Sequence, residues 1–171
     1  MEQKGDVSMS RIISIANQKG GVGKTTTNVN LSACLADKGK RILVIDIDPQ
    51  GNTTSGFGIE KELIEYSIYD VLINGMDINK AIVKTEISNL DIIISKLELA
   101  GAEIELVPMM ARETILKKAI GDIEKEYDYI FIDCPPSLGL LTINALIPPS
   151  RRPATIACKP STSWKMPATT R

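Results

Sequence analysis

A glycine-rich segment between an apolar run and a helical pattern carries the clearest chemistry in this sequence. The segment reads Lys19-Gly20-Gly21-Val22-Gly23-Lys24-Thr25-Thr26. Glycines at such a junction let consecutive backbone N–H groups converge on a phosphate, and the helix that follows adds the positive end of its dipole. Lys24 supplies a positive charge for the β and γ phosphates, and the Thr25 hydroxyl is a ligand for Mg²⁺. The segment therefore predicts a nucleotide-phosphate site.

This segment departs from the strict phosphate-loop pattern G-x-x-x-x-G-K-[ST] at its first position. Gln18 stands where that pattern has glycine, and Lys19 adds a second cation inside the loop. A chance match to G-G-x-G-K-[ST] in a chain of this length has a probability on the order of 10⁻³, so a purely structural glycine turn is disfavoured. A Rossmann dinucleotide site is disfavoured too, because Thr26 occupies the place of its third glycine.

Carboxylates stand where two of the apolar runs end. Asp133 closes one such run, and Asp46 and Asp48 follow another. Because the carboxyl ends of parallel strands meet at one edge of a sheet, we expect these carboxylates beside the phosphate loop. Asp133 is predicted to bind Mg²⁺ directly or to hold one of its ligands. Asp46 or Asp48 is the group expected to orient an attacking water, while a turn-forming role before Pro49 stays open.

The residue inventory excludes several kinds of chemistry. The 171 residues contain no histidine, which excludes Ser-His-Asp and Cys-His nucleophile pairs, His-ligated zinc and imidazole acid–base catalysis. The three cysteines form no C-x-x-C pair and are not placed to hold an iron–sulfur cluster. We expect reduced thiols, with Cys34 and Cys134 buried in structural roles.

The overall composition is that of a soluble globular protein, with 43% hydrophobic and 24% charged residues. No apolar run approaches the ~18–20 residues of a membrane span. The chain also opens without a basic segment followed by an apolar one. We therefore expect a cytoplasmic protein with no membrane partner.

Apolar runs alternate with helical patterns along most of the chain, which is typical of βαβ units and a parallel sheet. Strands are predicted over residues 11–17, 41–46, 90–94 and 129–133. Helices are predicted over residues 25–38, 67–74, 77–83, 112–126 and 140–146. The fold class is therefore α/β, a P-loop NTPase with a mostly parallel sheet and helices on both faces.

Charge and proline content divide the chain near residue 147. Residues 1–146 carry all 21 acidic residues and 15 of the 20 basic ones, whereas residues 147–171 carry five basic residues and five of the nine prolines. These prolines forbid a helix longer than about two turns, and the only strand-like run there is 154–158. We expect a disordered extension at 1–10, a P-loop domain at 11–146, and a basic, proline-rich, disordered tail at 147–171.

Three segments together match one family. They are the loop at 18–27, the Asp-Ile-Asp-Pro-Gln-Gly-Asn-Thr-Thr-Ser-Gly segment at 46–56, and the Ile-Asp-Cys-Pro-Pro-Ser-Leu-Gly segment at 132–139. They resemble the ParA/Soj family of chromosome- and plasmid-partitioning ATPases, and the resemblance spans about residues 11–146. It implies a deviant Walker A ATPase with ATP and Mg²⁺ as cofactors, which forms a homodimer on binding ATP and coats DNA without sequence preference. It also implies release from DNA when a ParB-type DNA-binding partner stimulates hydrolysis, and hence a cytoplasmic, nucleoid-associated protein.

The resemblance also implies roles for individual residues. Lys19 corresponds to the signature lysine that reaches the phosphates of the partner subunit, and Asp48 to the water-activating aspartate. Thr25 corresponds to the Mg²⁺ ligand and Asp133 to the Walker B aspartate. The implied ATP-binding residues all lie in the loop and the start of its helix: Lys19, Gly20, Gly21, Val22, Gly23, Lys24, Thr25 and Thr26.

The tail departs from the family, which continues after the helix at 140–146 with further strands and helices. No such region is recognisable in residues 147–171, so we expect an incomplete ParA-type domain whose C-terminal part is missing through truncation or a frameshift. Two alternatives stay open. One is a MinD-like deviant Walker ATPase, against which the tail prolines count because they forbid a membrane-binding amphipathic helix. The other is a non-functional fragment of a ParA-like protein.

Overall fold

The computed structural model of the chain describes residues 10–147 and 154–157. Its strands are β1 (Arg11–Ala16), β2 (Ile42–Asp46), β3 (Ile82–Lys84), β4 (Leu90–Ile93), β5 (Tyr129–Asp133) and β6 (Ala154–Ala157). Its α-helices are α1 (Lys24–Asp37), α2 (Asn52–Gly56), α3 (Ile68–Leu72), α4 (Leu99–Glu105), α5 (Ile115–Gly121) and α6 (Leu140–Leu146). Short 3₁₀ turns lie at Lys61–Leu63, Ile78–Ala81 and Glu124–Glu126.

The strands form one sheet in the order β3-β4-β2-β5-β1-β6. Every neighbouring pair runs parallel except β3 with β4, which is antiparallel. Asp133 at the end of β5 lies in register with Asp46 of β2 on one side and with Ile15 of β1 on the other. The carboxyl ends of these three strands therefore place the glycine loop and the aspartates at the same edge of the sheet.

The central strands read as continuous apolar runs because both faces of the sheet are covered by helices. Alternate residues of β2 show this arrangement. Leu43 and Ile45 belong to a core that includes residues of α3, α4, α5 and α6. Ile42 and Val44 point to the other face and share a core with residues of α1. The expected mostly parallel sheet with helices on both faces is confirmed.

Two predicted helices were wrong in part. Residues 77–83 form the 3₁₀ turn Ile78–Ala81 and then β3, because the β-branched Ile82 and Val83 pair with β4. The helix predicted over 112–126 is limited to α5 and a later 3₁₀ turn. Gly121, which ends α5, has low helix propensity and accounts for the interruption.

The two ends of the chain differ in part from the prediction of disorder. Ser10 is buried, and its hydroxyl donates to the backbone carbonyls of Glu124 and Tyr127. In the tail, Ala154–Ala157 forms β6 and pairs with β1, which agrees with the strand-like run of the sequence. Residues 1–9, 148–153 and 158–171 lie outside the described residues, so the rest of that prediction stays a prediction.

The cysteines and helices allow two further comparisons with the sequence. Cys134 is buried as expected, but Cys34 is exposed, so the prediction of a buried Cys34 was wrong; Cys158 lies outside the described residues. Within the described parts of the chain, no helix combines the length and the apolar character required to cross a membrane.

Candidate functional site

The glycine loop spans residues 17–23, between the end of β1 and the start of α1. Gly21 and Gly23 have φ angles of 69° and 85°, in the left-handed region that glycine adopts without strain. Gly23 directly precedes Lys24, the first residue of the 14-residue helix α1. The N–H groups of a first helical turn have no partner within the helix and attract anions. The loop and this helix end are therefore suited to bind an anion.

A cavity of about 440 Å³ opens beside this loop. Its lining comes from the loop, the first turn of α1, the segment after β2 and one residue after β5: Gly20, Gly21, Gly23, Lys24, Thr25, Thr26, Asp48, Gln50, Asn52 and Pro136. Lys24 is the cation among these residues and is only 8% exposed. A buried lysine beside backbone N–H groups favours a phosphate at this position.

The Asp133 carboxylate lies beside this loop and is shared by two hydroxyl groups. Its Oδ2 accepts hydrogen bonds from Thr25 Oγ1 at 3.0 Å and from Thr53 Oγ1 at 2.6 Å. The other oxygen, Oδ1, is buried and has no hydrogen-bond partner among the described residues. A buried carboxylate oxygen without a partner is costly, and a bound cation would satisfy it.

The donor set at Asp133 fits Mg²⁺. Burial raises the pKa of Asp133, and the hydrogen bonds from Thr53 and Thr25 oppose that rise. In the described part of the chain, no cluster of three or more Asp, Glu, Cys or His side chains could hold a metal ion by itself. Mg²⁺ is commonly held by one or two carboxylates together with substrate phosphates, so Asp133, the Thr25 hydroxyl and a nucleotide phosphate form a suitable set.

The two aspartates after β2 have different environments. Asp48 lines the cavity, and its Oδ1 accepts the Gln50 N–H at 3.0 Å. Asp46 is fully buried and does not belong to the cavity lining. Its carboxylate accepts the N–H and hydroxyl of Thr54, at 2.8 and 2.7 Å, and the Asp48 N–H at 3.1 Å. The geometry favours Asp48 over Asp46 as the group that orients water.

Burial sets the ionisation of Asp46. It raises the pKa of this carboxyl to about 7, although the hydrogen bonds from Thr54 act in the opposite direction. The neighbouring charge of Asp133 adds to the rise. Asp46 thus accepts hydrogen bonds from the surrounding backbone. Because its pKa is raised, it binds a proton at a higher pH than an ordinary aspartate.

Two residues of the predicted ATP site lie outside the cavity lining, namely Lys19 and Val22. Lys19 is exposed, and its backbone N–H donates to Asn17 Oδ1 at 2.9 Å. Val22 is partly buried. An exposed position is what a lysine acting on the nucleotide of a second subunit requires, and that role stays a prediction.

The structure adds residues for which the sequence indicated no role. Thr53 bonds Asp133, and Gln50, Asn52 and Pro136 line the cavity. These residues follow the strand-end aspartates closely in sequence. Their position in the turns after β2 and β5 could have identified them from the sequence, because polar side chains in these turns reach the same edge of the sheet.

Comparison with known sequences places the chain in one family. A family model described as an AAA domain matches residues 10–159. The sporulation initiation inhibitor protein Soj of Bacillus subtilis is 62% identical over 138 residues, which cover 81% of this chain and 54% of that relative. The chromosome partitioning protein ParA of Myxococcus xanthus is 50% identical over 84% of this chain and 51% of its own length. The chain thus spans about half the length of the curated relatives it matches.

Solved structures give the same relationship in three dimensions. Cobyrinic acid a,c-diamide synthase from Mycobacterium smegmatis, with bound ADP and magnesium, has a TM-score of 0.81 and 37% identity, covering 88% of this chain and 60% of that one. A plasmid partition protein from Borrelia burgdorferi bound to AMPPNP has a TM-score of 0.77 and 35% identity, covering 88% and 62%. With the sequence relatives and the matching domain model, these likenesses show that the chain belongs to the ParA/Soj family of AAA domain ATPases.

Proposed function

We propose that this chain binds ATP with Mg²⁺ in the cavity beside the glycine loop and hydrolyses it as the ATPase part of a ParA-like partitioning protein. The loop N–H groups and Lys24 hold the phosphates, with Thr26 as a further phosphate contact. Thr25 and Asp133 hold the metal ion, which when bound neutralises charge on the phosphates. Asp48 orients the attacking water.

The observation that carries this proposal is the shared Asp133 carboxylate. One of its oxygens is held by Thr25 and Thr53, and the other is buried without a partner among the described residues. This arrangement lies beside the glycine loop and the first turn of α1, where Lys24 is buried. A catalytically inert glycine turn would not require an unpartnered buried carboxylate beside a buried lysine.

The partitioning role extends the same proposal to partners. The names of the relatives support it, since they include a chromosome partitioning protein and a chromosome-partitioning ATPase. In this proposal ATP drives homodimer formation, the dimer associates with DNA on the nucleoid, and a ParB-type partner stimulates hydrolysis and release. Lys19 of each subunit stabilises the charge that hydrolysis spreads over the γ-phosphoryl oxygens in the other subunit.

Binding of a fluorescent ATP analogue to the 171-residue chain, with and without Mg²⁺, tests the site. We expect Mg²⁺ to increase the affinity and Lys24→Ala to lower it roughly 10- to 100-fold, the loss expected when a charge-assisted contact to phosphate is removed. Lys38→Ala, at an exposed lysine just after α1, is the matched control and should bind as the wild type does. Equal affinities for the Lys24 and Lys38 variants would exclude the proposed site.

Two further variants separate the roles assigned to Asp48 and Lys19. Asp48→Ala should keep ATP bound in a dimer that does not hydrolyse it, because only the water-orienting group is lost. Lys19→Ala should bind ATP as a monomer, because the contact between subunits is lost. Light scattering with ATP measures both masses, and equal masses for the two variants would contradict this division of roles.

A further inference from the structure

Two neighbouring threonines at the start of α2 bond two different buried carboxylates. Thr53 Oγ1 donates to Asp133 Oδ2 at 2.6 Å, and Thr54 Oγ1 donates to Asp46 Oδ2 at 2.7 Å. Both threonines are fully buried. Asp46 and Asp133 end adjacent strands in register, and successive residues of a helix point about 100° apart. One turn of α2 therefore reaches the ends of β2 and β5 at the same time.

Asp46 connects this turn to the segment that carries Asp48. Its Oδ2 accepts both the N–H and the hydroxyl of Thr54, while its Oδ1 accepts the Asp48 N–H. In the described part of the chain, no lysine or arginine forms an ion pair with it. A buried carboxylate without a cation depends on such hydrogen bonds. The Asp46 carboxylate is therefore held largely by Thr54, and this carboxylate in turn accepts the Asp48 N–H.

The Thr54 hydroxyl acts both as a hydrogen-bond donor and as an acceptor. It donates to Asp46 and accepts the Ser95 N–H, at 3.2 Å, just beyond the end of β4. A serine can make both bonds, whereas a valine of nearly the same shape can make neither. Substitution by valine therefore keeps the shape of the Thr54 side chain and removes its hydrogen bonds, whereas serine keeps the hydrogen bonds.

We propose that Thr54 is a positioning residue for ATP hydrolysis: through Asp46 it fixes the loop that presents Asp48 to the cavity. The neighbouring Thr53 fixes Asp133, so α2 holds the water-orienting loop and the metal carboxylate as one unit. This inference rests on the proposed function for its catalytic consequence. The mechanical part, control of the Asp48 loop by Thr54, stands on the hydrogen bonds alone.

Hydrogen exchange measured by mass spectrometry tests the mechanical part on the 171-residue chain without nucleotide. Thr54→Val should speed exchange in peptides covering residues 46–56 roughly 10- to 100-fold, because it removes the hydroxyl donor of Asp46 and leaves this buried carboxylate with the backbone N–H groups of residues 54 and 48 alone. Peptides from β5 should exchange as in the wild type. Thr54→Ser should keep the slow exchange. Thr85→Val is the matched control, since Thr85 bonds the Leu90 carbonyl at the opposite edge of the sheet.

Steady-state hydrolysis tests the catalytic part. Thr54→Val should lower kcat about tenfold or more while KM stays within about twofold, and Thr54→Ser should restore kcat. The proposal would be overturned if Thr54→Val left hydrogen exchange in residues 46–56 unchanged, or if it accelerated exchange equally throughout the chain. A Thr54→Ser variant with the same loss of kcat as Thr54→Val would overturn it as well. A wild-type chain that binds no ATP would contradict the proposed function instead, while the exchange result would still decide the control of the loop.

Discussion

Asp46 is a carboxyl group whose protonation is linked to folding. Its pKa rises from an ordinary value of 3.8 to about 7 because the group is buried. Between these two pH values the native state therefore binds more protons than the unfolded chain. The stability that the protonated group contributes is complete below about pH 4 and is lost as the pH rises through about 7.

This linkage predicts that the free energy of unfolding depends on pH, and that Asp46→Asn removes part of this dependence. The free energy of unfolding without nucleotide should fall by roughly 1–3 kcal/mol between about pH 5 and pH 7.5 in the wild type. Asp46→Asn should show a smaller fall, even if its stability is lower throughout, while Asp133 keeps its own contribution of the same sign. Urea unfolding at the two pH values measures the difference. The exposed Asp122→Asn is the control, and a slope in Asp46→Asn as steep as in this control would contradict the linkage.

At this scale the sequence indicated Lys24, Thr25, Asp48 and Asp133, but not the two buried threonines of α2. Lys24, Asp48 and Asp133 were predictable because a glycine loop ending in lysine, together with carboxylates at strand ends, is typical of a phosphate site. Thr53 and Thr54 were not, since threonines at a helix start more often act as local caps. Their partners lie at the ends of strands whose order in the sheet the sequence does not reveal.

The start of α6 depends on a side chain from another helix. Gly139, its N-cap residue, makes no side-chain cap. Instead the Glu103 carboxylate of α4 accepts the N–H groups of Leu140 at 2.7 Å and Leu141 at 3.3 Å. A side chain at position 139 would displace that carboxylate, so glycine there leaves Glu103 free to cap α6. Glu103 therefore caps α6 and complements its dipole.

Removal of this cap should destabilise the fold without affecting the phosphate loop. Glu103→Ala should lower the free energy of unfolding by about 1–2 kcal/mol, and Glu103→Gln by less, because glutamine keeps one acceptor oxygen. Glu86→Ala, at an exposed glutamate, is the matched control. Urea denaturation compares the three variants with the wild type. Equal stability of the Glu103 and Glu86 alanine variants would show that Glu103 does not cap α6.

Elements with a clear apolar pattern were predictable, including short ones such as β4 and α6, whereas β3 was not. β2, β5 and α1 were predicted within one or two residues because their apolar residues continue over a full strand or repeat over several turns. β3 was missed because three residues carry too little pattern to separate a strand from the end of a helical turn. The antiparallel pairing of β3 with β4 depends on contacts that no local pattern encodes.

At the scale of the molecule, several large apolar side chains are exposed; some, such as Ile104 and Met110, lie far from residue 147 in sequence, and three lie within ten residues of it. Leu138 is 63% exposed, and Leu146 and Ile147 are 39% and 36% exposed. Among the described residues, β6 lies at one end of the strand order and pairs with β1 alone. Exposed apolar side chains and open strand edges both favour self-association.

These features predict the effect of joining residues 1–146 to the C-terminal region of the Bacillus subtilis relative, which this chain matches over about half of that protein's length. At roughly 25 cal/mol per Å², covering a few hundred Å² of apolar surface contributes several kcal/mol, comparable with the stability of a domain. The chimera should therefore self-associate less than the 171-residue chain and gain DNA-dependent ATP hydrolysis that a ParB-type protein stimulates. Sedimentation velocity and phosphate release measure the two properties on the same samples. A 171-residue chain that is monomeric, unfolds cooperatively and hydrolyses ATP as fast as the chimera would contradict the prediction, and would assign a complete ATPase to the chain as it stands.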